Sequence, residues 1–179
     1  IVQLRDDGIN PEDIRYVVLS HLHPDHIGGV RFFPRSTIIV TEGSYQNYKN
    51  PGWRDLLFLQ LLPAWFEKNL KVLRYEDRRH IDNELQGYDL FDDKSLFLVE
   101  LEGHTHGHLG AYIPGKLLLA GDACWGADLM DYSMRLSARL VQNDYEAFKR
   151  SLDQLSTLQE KGIGLCFSHD YYSKKELLQ

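Results

Sequence analysis

Apolar runs of strand length alternate along the chain with stretches of helical periodicity, the pattern of an α/β layered domain. Tyr16-Val17-Val18-Leu19-Ser20 predicts a buried strand, and Ser36 to Thr41, rich in β-branched residues, predicts a second. Lys71 to Tyr75, Leu96 to Leu101, Lys116 to Ala120 and Ile163 to Phe167 predict four more. Asn10-Pro11-Glu12-Asp13 combines an N-cap, Pro at the first helical position and acids in the first turn, so a short helix is expected there. Asp25 to Phe33 predicts a loop entering a helix that closes on Pro34. Glu42 to Lys49 and Asp55 to Asn69 predict helices, the second apolar through Leu56, Leu57, Leu59, Leu61, Leu62 and Phe66 and broken at Pro63. Asn143-Asp144 caps a helix from Tyr145 to about Lys161, with Phe148, Leu152, Leu155 and Leu158 on one face and Gly162 as its stop. With no repeat and no linker, residues 1–179 are expected to form a single domain.

Composition narrows the class. With 179 residues, 43% of them hydrophobic, the chain can build one core, and 12% aromatics argue against disorder. The longest apolar stretch, Leu56 to Phe66, is interrupted by Gln60 and Pro63 and falls far short of the roughly 18–20 residues of a membrane span. A net charge of −6 with scattered Lys and Arg disfavours nucleic acid and fits a small neutral or anionic metabolite. Cys124 and Cys166 cannot build a disulfide framework, so a reducing, cytoplasmic compartment is expected. The first residue is Ile1 rather than Met, which places the natural start upstream in expectation.

The eight histidines are unevenly placed. His21, His23 and His26 lie within six residues and His104, His106 and His108 within five, whereas His80 and His169 stand alone. Ser20-His21-Leu22-His23-Pro24-Asp25-His26 directly follows a β-branched strand, so its side chains leave the rigid end of a sheet. Residues two apart in extended chain point the same way, which lets His21 and His23 converge on one cation while Asp25 and His26 turn toward a neighbouring position. Such nitrogen and oxygen donors suit zinc, iron or manganese. Gly103-His104-Thr105-His106-Gly107-His108 also follows a strand, Leu117-Leu118-Leu119-Ala120-Gly121-Asp122 ends a strand in a carboxylate, and Gly164-Leu165-Cys166-Phe167-Ser168-His169 ends one in a histidine.

HxHxDH at His21–His26, GHTxGH at Gly103–His108, the strand-end Asp122 and the late His169 together resemble the metallo-β-lactamase superfamily of metal-dependent hydrolases, over about Ile9 to His169. The resemblance implies a four-layered αβ/βα sandwich. It implies one metal on His21, His23 and His104, a second on Asp25, His26 and His169, and Asp122 as the bridge, with two divalent ions, foremost zinc, as cofactors. His106 takes the pattern's variable position and is expected at the surface with His80; His108 is expected to support a ligand from behind. Two cations about 3.5–4 Å apart would acidify a shared water toward a pKa of about 7 and polarise the scissile carbonyl, with Asp25 steering a proton to the leaving group.

Among the superfamily's branches, Asp122 stands where one β-lactamase class carries cysteine, and His23 stands where flavodiiron reductases carry glutamate. The remaining resemblance is to N-acyl homoserine lactonases and glyoxalase II-type thioester hydrolases. The expected reaction is therefore hydrolysis of a carboxylic ester, lactone or thioester, lactone preferred. Persulfide dioxygenase-like iron chemistry and a non-catalytic metal-binding domain are the alternatives. The apolar stretch Trp53 to Phe66 would either line an acyl-chain pocket or cover the core. Lactonases place a carbonyl-binding tyrosine three residues after the bridging aspartate; Trp125 stands there, with Tyr132 as a candidate substitute. Only one short helix and one strand are expected before His21, so the first strands of the fold, and the early motif aspartate, are expected to be absent from this chain. The resulting open sheet edge and apolar face favour self-association.

Overall fold

Thr37-Ile38-Ile39-Val40-Thr41 places two fully buried isoleucines and a valine in succession, the run of a strand covered on both faces. In the computed structural model, which describes residues 1–53, 55–82, 85–130 and 139–171, this strand is the middle of a parallel three-stranded sheet. That sheet belongs to the first of two compact units, Ile1–Glu76 and Asp77–Gln179. The unit runs α1 (Val2–Asp6), β1 (Tyr16–Val18), α2 (Pro24–Ile27), β2 (Thr37–Thr41), α3 (Glu42–Lys49) and β3 (Leu70–Leu73), with sheet order β1-β2-β3. Its core gathers Leu19, Leu22, Ile27, Val30, Ile38, Val40 and Phe66. Thr41 ends β2 and caps α3, its Oγ1 accepting the Ser44 N–H at 3.1 Å.

Several expectations change here. The first strand is shorter than Tyr16 to Ser20 and only partly buried, because among the described residues β1 pairs on one side only; burial begins at Leu19, just beyond it. Asp25 and His26 do not lie on a loop but in the first turn of α2, which Pro24 opens, and Val30–Phe32 is a single 3₁₀ turn. Asp55 to Asn69 is not a helix: it holds 3₁₀ turns at Leu59–Leu61 and Glu67–Asn69. Leu56 has φ +51°, outside the helical region, and the run has no polar face to set a helical register. Helix α1 was not anticipated, and Asn10-Pro11 caps a 3₁₀ turn, Pro11–Asp13.

The second unit contains β4 (Arg79–His80), β5 (Gln86–Asp89), β6 (Phe97–Glu100), β7 (Leu109–Ile113), β8 (Leu117–Gly121), α4 (Tyr145–Glu160) and β9 (Gly164–Phe167). The sheet order is β4-β5-β6-β7-β8-β9. Every pairing is antiparallel except β8–β9. A parallel pair needs a crossover, and α4 lies on it. Asp144 caps α4 by accepting the Ala147 N–H at 2.9 Å, and the helix buries Ala147, Phe148, Ser151, Leu152, Leu155 and Leu158 on one face. That face joins Val99, Leu101, Leu118, Ala120 and Phe167 in the core. Strands β4, β5 and β7 are additions to the sequence expectation. No helix among the described residues is long and apolar enough to cross a membrane.

Candidate metal centre

In the first unit the chain leaves β1 and turns sharply at His23, the N-cap of α2. His21 is fully buried, and its ring centroid lies 4.5 Å from that of His23 and 4.0 Å from that of His26. The Ser20 hydroxyl stands between two of these rings, 3.1 Å from His21 Nδ1 and 3.3 Å from His26 Nδ1. One hydroxyl oxygen has lone pairs for two N–H donors, so Ser20 can hold both rings by Nδ1 and leave both Nε2 atoms as lone-pair donors. Asp25 is half exposed, with Oδ2 3.5 Å from His26 Nε2. All four motif residues of this unit are thus held by one strand end and one helical turn.

In the second unit the ends of β6, β8 and β9 deliver the other three. Asp122 Oδ2 lies 3.0 Å from His169 Nε2 and 3.6 Å from His104 Nε2, with Asp122 and His104 buried and His169 half exposed. His108 Nε2 accepts the Asp122 backbone N–H at 3.1 Å and so supports that carboxylate from behind, as expected. His106 and His80 are exposed, also as expected. Gly103 has φ +124°, and a Cβ there would run into the backbone N and Cα of Phe148, so the His104 loop lies directly on the first turn of α4. Glu102 ties the other side of the loop: both its carboxylate oxygens accept the Gly107 N–H, at 2.9 and 3.1 Å, and its carbonyl accepts the Ser151 hydroxyl at 2.7 Å. Burial pushes the Glu102 carboxyl up to about 7, against the lowering effect of the Gly107 bond.

Cys124 is fully buried and donates to the Gly126 carbonyl at 3.1 Å; burial raises its pKa above the ordinary thiol value. Trp125 packs edge-on against His104, ring centroids 6.2 Å apart at 82°. Tyr132 lies outside the described residues. Sequence reasoning missed Ser20 and Glu102, although both flank motif residues, and it missed Gln142, whose amide meets His104 from 38 positions away.

The donor set suits divalent cations. Two imidazole Nε2 atoms aimed at one buried carboxylate oxygen, and three imidazoles packed together within six residues of chain, concentrate lone-pair donors that a borderline metal satisfies together.

Residues 1–161 match the metallo-beta-lactamase superfamily. The N-acyl homoserine lactonase AttM of Azorhizobium caulinodans is 28% identical over 181 residues, covering 95% of this chain and 63% of its own. The gamma-lactamase FDB1 of Fusarium pseudograminearum is 29% identical over 127 residues, 66% of this chain and 31% of its own. The chain therefore spans less than two thirds of the length of either relative. The solved structure of an N-acyl homoserine lactone hydrolase, with N-hexanoyl-L-homoserine bound at its catalytic metal center, aligns with a TM-score of 0.66 at 23% identity, over 94% of this chain and 60% of that one. On the family match and the shared fold, the chain belongs to the metallo-β-lactamase superfamily.

Proposed function

We propose that this chain is part of a dinuclear metal-dependent hydrolase that cleaves a carboxylic ester bond, a lactone by preference. The supporting observation is the convergence of His104 Nε2 and His169 Nε2 on Asp122 Oδ2. In this proposal, following the family's ligand pattern, His21, His23 and His104 would hold one ion, Asp25, His26 and His169 the other, and Asp122 would be the ligand common to both. Zinc is the preferred ion, in keeping with the dizinc quorum-quenching lactonase AidC, which shares the fold at a TM-score of 0.65 and 20% identity. Two such ions, when bound, supply Lewis acidity toward a carbonyl oxygen and toward water.

The chain's own groups do the rest. Asp25, an exposed carboxylate in the first turn of α2, would take a proton from the attacking water and return it to the departing oxygen. Asp122, held at its backbone by His108, would present its carboxylate between the imidazoles of His104 and His169. Trp125 offers one indole N–H and an apolar face beside His104, in place of the phenol that the lactonases use. Trp53, Leu56 and Phe58 are exposed and apolar, a surface suited to an acyl chain. The lactonase relatives support a lactone substrate.

Metal analysis of the zinc-replete protein, paired with hydrolysis assays on lactones and thioesters, tests the proposal. Two metals per chain and loss of hydrolysis in His21→Ala are expected. Fewer than about two metals, with turnover unchanged in that variant, refutes it.

A further inference from the structure

Three consecutive residues ahead of α4 grip the His104 loop. The Asp144 N–H donates to the Gly103 carbonyl at 3.0 Å, the Asn143 N–H donates to the His104 carbonyl at 3.2 Å, and Gln142 Oε1 lies 3.0 Å from His104 Nδ1. Gln142 and His104 are both about 3% exposed, so the amide–imidazole pair is shut away from water. The two backbone bonds fix where the loop lies, but neither fixes the ring. A carbonyl oxygen can only accept, so the side-chain bond requires the proton on Nδ1 and, in the neutral imidazole, leaves a lone pair on Nε2. Nε2 is the atom that faces Asp122 Oδ2 at 3.6 Å.

We propose that Gln142 is a positioning residue for metal binding, which selects the Nδ1–H tautomer of His104 and sets its ring plane so that Nε2 meets the metal. This role rests on the metal-centre reading above. It assigns the two kinds of contact different tasks: Asn143 and Asp144 hold the loop through main chain, and Gln142 sets the chemistry of the ring. Glutamate at 142 keeps an acceptor for Nδ1–H, whereas leucine keeps the volume and removes the acceptor. Support of this kind is worth ten- to hundredfold in metal affinity.

The test measures zinc affinity by competition with a chromophoric chelator, and the His104 tautomer by long-range 1H–15N spectra of the zinc-free chain. The unaltered chain, Gln142→Glu and Gln142→Leu are compared. The expected result is an Nδ1-protonated His104 in the unaltered chain and in Gln142→Glu, with zinc affinity retained in both. Gln142→Leu is expected to lose ten- to hundredfold in affinity for one of the two ions and to show mixed tautomers, with a modestly lowered melting temperature because the buried Nδ1 loses its partner, and with the fold retained because both backbone bonds survive. If Gln142→Leu fails to fold, Gln142→Asn, which draws the acceptor back by one methylene, is judged by the same two measurements. Wild-type zinc affinity and a pure Nδ1–H tautomer in the variant that lacks the acceptor overturn the role of Gln142. An Nε2-protonated His104 in the unaltered chain overturns it as well. No zinc binding by the unaltered chain overturns the metal-centre reading and this role with it, a failure recognisable because it precedes any substitution.

Discussion

His108 Nε2 and the backbone N–H of Asp122 meet at 3.1 Å across the open end of the β7–β8 pair, where each residue lies one position outside its strand. The bond carries the ladder one step past the strands and sets the height at which the Asp122 carboxylate emerges. His108 is fully buried and Asp122 is 3% exposed, so water cannot replace the acceptor. His108→Leu should cost about 1–3 kcal/mol by stranding the amide. For a chain of this length that is roughly 2–4 °C of melting temperature per kcal/mol. Thermal unfolding reads the effect, and an unchanged midpoint would show that the bond contributes nothing to stability.

Gly103→Ala attacks the same region from the other side. The added methyl has no room against the Phe148 backbone, and φ +124° is unfavourable for any residue with a Cβ. Left-handed strain and overpacking together should cost about 3 kcal/mol or more. The expected outcome is a poorly soluble protein, or one melting at least several degrees lower; native-like unfolding would mean that the loop can lift off α4 without penalty.

Glu102 makes stability depend on pH. Its folded pKa, about 7, is raised above the ordinary carboxyl value by burial, so the folded state binds the proton more tightly than the unfolded one. Its favourable contribution is complete below the unfolded pKa, near 4.5, and is lost as pH rises to about 7. Across that window, denaturant unfolding should show stability falling by on the order of 1–3 kcal/mol through this group. Glu102→Gln should flatten the slope; a slope the same in both proteins would assign it to other groups.

The candidate ligand residues were legible because metal-binding side chains gather just after apolar strands, a pattern that does not depend on tertiary context. Helix α4 was legible for a similar reason: a cap, one apolar face and a glycine stop all agree. Strand β5 was not, because Gln86-Gly87-Tyr88-Asp89 is short and contains glycine, which weakens a strand in isolation. The glycine is required by tertiary packing, since a Cβ at Gly87 would strike the Leu98 carbonyl of β6. The stretch around Leu56 to Phe66 misled for the opposite reason, since its density of leucines carries no periodicity once Pro63 interrupts it. Gln142 carries no local signal at all; only the crossover through α4 brings it to His104.

Among the described residues, strand β9 is the last strand of its sheet, paired with β8 through four residue pairs, and His169 lies two residues past its end. Opening an edge strand costs less than unfolding the unit, so fraying at this margin would part His169 from Asp122 while the rest of the unit stays folded. Such an opening withdraws His169 and leaves His104 and Asp122 in place on inner strands. The three side chains of this unit therefore differ in permanence, two being fixtures of the core and one a removable member. Whatever grips His169 and Asp122 together also seams the margin of the sheet shut.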